Sequence, residues 1–185
     1  MNAPAELQPN TPGLFDDPTS LIYGIGNSGR EDDGLGWAFI DRLECGDLRT
    51  RAHLRRTYQL NLEDADVISR YQRVLFVDAT KDPLVDSFAV SRPEAKLDLS
   101  FTSHAMSVSS ILATTRQCFD HVPDSYVLAI RGYQWELREG ITRLALANLV
   151  RSVEFLTEAL VHNPAHRTEA RCRPTRDGSQ PPVSN

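Results

Sequence analysis

Apolar and polar positions along this chain switch repeatedly between a period of about two or an unbroken apolar run, and a period of about 3.6. The run SLIYGIG, Ser20 to Gly26, closes on glycine and has the form of a buried parallel strand. After it, Leu35, Phe39, Ile40 and Leu43 recur at helical spacing, so a helix is predicted from near Asp33, with Gly46 placed to stop it. Leu54 to Leu60 reads as a strand, Leu62 to Tyr71 as a short helix, and RVLFVDAT, Arg73 to Thr80, as a strongly buried strand. Ser87 to Arg92 alternates like an edge strand and ends at Pro93. A helix over Met106 to Phe119, a strand over Ser125 to Gly132 and a long helix over Arg143 to His162 complete the series. In the last helix Leu144, Leu149, Val153, Leu156 and Leu160 are assigned to the apolar side, Thr142 to the N-cap and Ile141 to a hydrophobic staple. Strands alternating with helices predict an α/β fold in three layers, a mostly parallel sheet with helices on both faces.

Periodicity fails at both ends. Residues 1–18 are polar and proline-rich and are expected to be a mobile tail; residues 163–185, rich in Pro, Arg and Ser, are expected to be a disordered one. The arginines of the second tail fit either a partner contact or a solvated extension. Between the tails, residues 19–162 have the length of a single domain with a sizeable core. The formal net charge of -5 supplies no broad basic surface, which argues against nucleic acid or an anionic membrane as partners. Neither a signal peptide nor a membrane-spanning run is present in the sequence, so a soluble, cytoplasmic protein is expected. Cys45, Cys118 and Cys172 are widely spaced and odd in number, against both a disulfide framework and a thiolate zinc site.

In a parallel sheet, ligands gather at the carboxyl ends of strands, where strand order reverses. Three polar features fall there: Glu31, Asp32 and Asp33 after the first strand, Asp78 at the end of the most apolar one, and Ser103–His104 before the helix that starts near Met106. Each has a plain structural reading. Asp32 or Asp33 could cap a helix, Asp78 could cap or form an ion pair, and His104 could start a helix or sit on the surface. Together, two carboxylates and one imidazole form a mixed oxygen and nitrogen set suited to a borderline divalent ion such as zinc or nickel, with positions left open for water or substrate. With Ser103 as cap, His104 would lie at the positive end of its helix, which favours the neutral, ligating imidazole. His53, His121, His162 and His166 lie outside this pattern.

Two other enzymatic readings compete. Gly24, Gly26 and Gly29 have GxGxxG spacing, and Glu63 could meet a ribose, as in a dinucleotide-binding oxidoreductase. Against that, Glu31, Asp32 and Asp33 occupy the place where a pyrophosphate would sit. A nucleophilic hydrolase is not supported either, because no serine stands in GxSxG and no cysteine is paired with a histidine at a strand end.

The ordered series GIGNSGREDDGLG, VLFVDAT, SHAMSV and IRGYQWELREGIT, spread from about Leu21 to about Leu160, resembles the hydrogenase maturation proteases. The most specific of the four is the first, of the form GNxxRxDDGxG. The resemblance implies a five-stranded twisted α/β fold and an endopeptidase that removes the C-terminal extension of a [NiFe]-hydrogenase large-subunit precursor once nickel is inserted. It places the metal-binding positions on Asp33, Asp78 and His104, with Asp33 and Asp78 as the catalytic carboxylates. Nickel would arrive on the substrate, with zinc or cadmium able to take its place in vitro, and the peptidase would act as a monomer. Asp32 is a further candidate for accepting a proton. Tyr133, Gln134, Trp135 and Glu136 either line the cleft or pack as a loop on the sheet edge. Ser28 and Gly29 replace a commoner Pro-Leu pair, and Glu31 replaces a small residue, which would add negative charge beside the site. An inert metal-binding or partner-binding module of the same fold is the alternative.

Overall fold

The computed structural model describes residues 15–45, 50–97 and 106–161, with side chains placed through residue 158. Five strands form one sheet: β1 (Ser20–Ile25), β2 (His53–Thr57), β3 (Arg73–Thr80), β4 (Phe88–Ser91) and β5 (Asp124–Arg131). Its order is β2-β1-β3-β5-β4. The first four strands across it run parallel and β4 is antiparallel to β5 at one edge. The α-helices among the described residues are α1 (Leu35–Cys45), α2 (Asp64–Ser69), α3 (Val108–Cys118) and α4 (Arg143–Val161).

Alternation along the central strands allots side chains to the two faces. Ile22 of β1 and Leu75 and Val77 of β3 join Leu35, Phe39, Ile40 and Leu43 of α1 and Leu149 and Leu156 of α4 in one core cluster. Their neighbours Leu21, Tyr23 and Ile25, with Val74 and Phe76, join Ile68 of α2 and Ile111 and Leu112 of α3 in the other. Both faces are covered, so β1 is buried at every position while edge strands β2 and β4 are only half-buried. Burying a Leu or Phe side chain contributes about 1.5–3 kcal/mol, so these two clusters supply the main driving force for the layers. The predicted fold class is the one observed.

Several boundaries move. Phe15 lies within the expected tail, yet it is fully buried and meets Tyr126 edge-on at 5.7 Å between ring centroids. The Thr50 hydroxyl donates to the Phe15 carbonyl at 2.8 Å, and Arg51 pairs with Asp16, so the packed domain includes residues 15–18. Residues 1–14 and 162–185, most of the two expected tails, lie outside the described residues. In α4, Leu144 is 64% exposed, because the buried face is set by Ala145, Asn148, Leu149, Ser152 and Leu156; a position one residue off that stripe turns about 100° away from it. The Leu160 side chain lies outside the described residues. Ser107, not Ser103, caps α3, its hydroxyl accepting from the Ser110 amide at 3.1 Å. Cys45 and Cys118 are free thiols on the surface. Among the described residues no helix is long and apolar enough to cross a membrane.

Candidate active site at the ends of the central strands

From β1 the chain leaves sideways to β2, and from β3 it leaves in the other direction, so strand order reverses between β1 and β3. Their carboxyl ends flank the crevice expected to hold a ligand. Gly26 (φ 131°) turns the chain out of β1, and a Cβ built there would fall 1.9 Å from the Asp33 carbonyl oxygen. A single 3-10 turn, Glu31–Gly34, follows and runs directly into α1. The start of α1 is drawn onto the sheet at Gly36, where a Cβ would lie 2.1 Å from the Ile25 carbonyl oxygen and 2.6 Å from that of Val77. Only a residue without Cβ allows this approach. It brings the turn that carries Asp33 against the end of β3, which carries Asp78.

Asp78 is mostly enclosed. Among the described residues its carboxylate accepts one hydrogen bond, from the Ala79 amide at 2.7 Å. Burial pushes its pKa up to about 6; the Ala79 amide opposes that shift and the negative charge of Asp33 adds to it. Asp33 itself is half-buried, with no hydrogen bond or ion pair to its carboxylate among the described residues. Two carboxylates with unused acceptor capacity, repelling each other in a partly dry crevice, are suited to a cation. His104, the third expected ligand, lies outside the described residues. Two residues further on, Met106 makes an antiparallel bridge with Leu60, its amide donating to the Leu60 carbonyl at 2.9 Å just beyond the carboxyl end of β2. Among the described residues alone no group of three or more His, Cys, Asp or Glu side chains could hold a metal ion.

The other two acids of the motif face elsewhere. Asp32 is fully buried. Its Oδ2 accepts from the Tyr133 amide at 2.7 Å, the Gln134 amide at 3.1 Å and the Thr142 hydroxyl at 2.9 Å, while its Oδ1 accepts from the Thr142 amide at 2.7 Å. Fully enclosed and met by four donors of the 133–142 loop, this carboxylate is engaged by the fold and not open to a substrate, which argues against Asp32 as the base. Glu31 is also buried, accepting from the Glu136 amide at 3.0 Å and pairing with the Arg138 guanidinium. Its charge is thus matched at once and does not load the site, contrary to the sequence expectation. Glu31 also has a φ of 47°, a left-handed conformation that costs a non-glycine residue about 1–2 kcal/mol. The Tyr133–Glu136 segment is held by this turn and not by the sheet edge. The sequence reading offered this loop as a cleft lining or a sheet-edge packing, but its tie to the turn, Arg138 included, escaped it because the contacting residues stand 101 to 110 positions apart and no spacing rule connects them.

The glycine spacing does not make a phosphate cradle. The amides of Asn27, Arg30, Glu31, Asp32 and Asp33 donate to the carbonyls of Asp33, Asn27, Arg138, Gln134 and Arg30, and the Gly29 amide donates to Asn27 Oδ1. A dinucleotide would find these donors already engaged. Glu63 stands at the start of α2 with no cap bond from its side chain. His53 is exposed, and the His121 ring bonds the Tyr71 carbonyl at 2.8 Å; neither lies at the crevice. An open cavity of about 450 Å³ lies on the α1–α4 side of the turn, between Ser28, Gly34, Trp37, Ile141 and Leu146, and includes neither Asp33 nor Asp78.

No family model and no curated protein matches the sequence. Solved structures do match in shape. The [NiFe] hydrogenase maturation protease HycI from Thermococcus kodakarensis aligns over 76% of this chain and 91% of its own, with a TM-score of 0.59 at 21% identity. The hydrogenase 2 maturation peptidase from a Thaumarchaeota archaeon covers 76% and 96%, with a TM-score of 0.56 at 18% identity. The hydrogenase maturating endopeptidase HybD from E. coli covers 74% and 88%, with a TM-score of 0.58 at 16% identity. At these identities what is shared is the architecture, and the chain has the fold of the hydrogenase maturation proteases.

Proposed function

We propose that this protein is a hydrogenase maturation endopeptidase that removes the C-terminal extension of a [NiFe]-hydrogenase large-subunit precursor after nickel insertion. The observation that carries the reading is the meeting of Asp33 and Asp78 at the strand-order reversal, on a fold shared with several such proteases. Both residues have carboxylate oxygens to spare, and the nearest neighbouring acid, Asp32, is fully engaged elsewhere. In this reading nickel belongs to the substrate. Asp33 and Asp78, with His104, engage the ion already carried by the precursor, so a metal-loaded chain is held and an empty one is not. The ion supplies Lewis acidity toward the scissile carbonyl. One of the two aspartates takes the proton of the attacking water. The protein acts as a monomer in the cytoplasm.

The test is cleavage of candidate large-subunit precursors, with and without nickel, read by mass as loss of the C-terminal extension. Cleavage only of nickel-loaded precursor, abolished in Asp33→Ala, is the expected result. Cleavage retained in Asp33→Ala would sink the metal-anchor mechanism. Failure with every nickel-loaded precursor would favour an inert binding module on the same fold.

A further inference from the structure

Three consecutive side chains of the motif reach across to the loop between β5 and α4. The Arg30 guanidinium donates to the Trp135 carbonyl at 3.3 Å, Glu31 takes the Glu136 amide and Arg138, and Asp32 takes Tyr133, Gln134 and Thr142. The backbones join as well, with the Glu31 and Asp32 amides donating to the carbonyls of Arg138 and Gln134 at 2.7 and 3.2 Å. The loop begins beside the site strand, since the Gly132 amide donates to the Thr80 carbonyl at 3.0 Å, two residues beyond Asp78. The Lys81 ammonium lies over the Trp135 ring, 4.6 Å from its centroid. Although its backbone is pinned at both ends, the loop turns large apolar side chains to solvent: Tyr133 is 41% exposed and Leu137 85%. Tyr133 is fixed in that pose, its hydroxyl accepting from the Asn148 side-chain amide at 3.1 Å and its ring facing the Arg131 guanidinium at 5.4 Å, so with Leu137 it offers apolar surface on a rigid backbone to a polypeptide ligand.

We infer that Asp32 is a positioning residue whose carboxylate fixes residues 133–142 as a substrate-facing wall beside Asp33, with Tyr133 and Leu137 presented to apolar side chains of the polypeptide to be cut. The inference rests on the peptidase reading for its substrate, but the clamp itself is a property of the fold. Asp32 lies at the hub because it ties both ends of the segment, the Tyr133–Gln134 amides at one and Thr142 at the other. Thr142 passes the tie on, its hydroxyl donating to Asp32 and accepting from the Ala145 amide at 3.3 Å as the cap of α4. One carboxylate thus sets both the wall and the start of the helix behind it.

Asp32→Asn keeps the size of the side chain but turns an NH2 group toward one set of donors. In the full-length protein, the Tyr133, Gln134 and Thr142 amides are expected to be protected from hydrogen exchange. They should lose protection by about tenfold or more in Asp32→Asn, while the Phe76 amide in β3 keeps its own. With a nickel-loaded precursor, KM is expected to rise about tenfold with kcat within about threefold of wild type. Thr142→Val should move KM in the same direction by less, and Thr142→Ser, which keeps the hydroxyl, should restore it. A kcat that falls with the melting temperature while KM stays fixed would show a merely structural residue and overturn the inference, as would unchanged exchange at the three amides. If wild-type protein cleaves no precursor, the peptidase reading falls instead, and the exchange measurement alone decides the clamp.

Discussion

Asp32 and Asp78 are both acids enclosed by the same sheet end, and they live in opposite circumstances. Asp32 is met by four donors from a loop more than a hundred residues away, whereas among the described residues Asp78 has a single amide, its own neighbour's. Burial is therefore not the mark of a site here; the ratio of donors to carboxylate oxygens is. A satisfied carboxylate fastens the fold and an under-satisfied one is held ready for something that is not part of the chain. Asp33, half-buried and without a partner among the described residues, belongs on the Asp78 side of this division although it adjoins Asp32 in sequence.

The sharpest way to break the comparison is to exchange the fates of the two kinds of acid. Asp33→Asn and Asp78→Asn should each lower precursor cleavage by about 10²-fold or more, the scale of a lost acid–base or charge-stabilising group, with the far-ultraviolet circular dichroism of the wild type. Asp32→Ala should show itself first in stability. Each buried donor left without a partner costs about 1–3 kcal/mol, so a loss of about 3 kcal/mol or more is expected. For a domain of this size that is roughly a 10 °C fall in melting temperature, measurable by calorimetry. If Asp33→Asn unfolded the protein and Asp32→Ala only slowed it, the division would be wrong.

Asp78 allows a subtler test with pH. Its folded pKa of about 6 lies above the ordinary 3.8, so folding favours the protonated form. The stability tied to that proton is fully present below about pH 4 and is lost as pH rises through 6. Asp78→Asn mimics the protonated group, so it should raise stability above pH 7 by about 3 kcal/mol, and that gain should vanish near pH 4. Thermal melts at both pH values check it. The wild-type cleavage rate should fall as pH drops below about 6, where a proton competes with the cation for the carboxylate. The smallest effect is expected at Arg138, whose side chain is 70% exposed. Arg138→Ala leaves Glu31 with the Glu136 amide and water, and should cost about 1 kcal/mol, seen as a small shift in urea midpoint.

Much of this arrangement was legible in the residues. The apolar runs of β1 and β3 and the helical spacing of α1 required a parallel sheet, and the strand-end rule then pointed to the Glu31–Asp32–Asp33 cluster, Asp78 and Ser103–His104, while the choice of Asp33 within the cluster came from the family resemblance. The role of Asp32 was not legible, because a cap, a ligand and a tie look alike in sequence, and the groups that decide among them, Tyr133 and Thr142, are distant in the chain. Phe15 was missed for a related reason: one aromatic in a polar segment has no period, and only the hollow beside Tyr126 gives it a place. Leu144 was misplaced because a stripe of leucines fixes the face of a helix only to within one position when small residues such as Ala145 and Ser152 also face inward.

The approach of α1 to the sheet gives a way to judge other chains of this shape. At Gly24 a Cβ would lie 2.3 Å from the Gly36 carbonyl oxygen, and at Gly36 one would meet backbone of both β1 and β3. The two positions therefore have to be read as a pair. A protein of the same architecture with a side chain at either one must have pushed its first helix outward, carrying the aspartate of the turn that leads into that helix away from its counterpart across the crevice. Shape alone would still match in such a protein. The glycine pair thus serves as a filter between scaffolds that merely look alike and those in which the two acids can still meet.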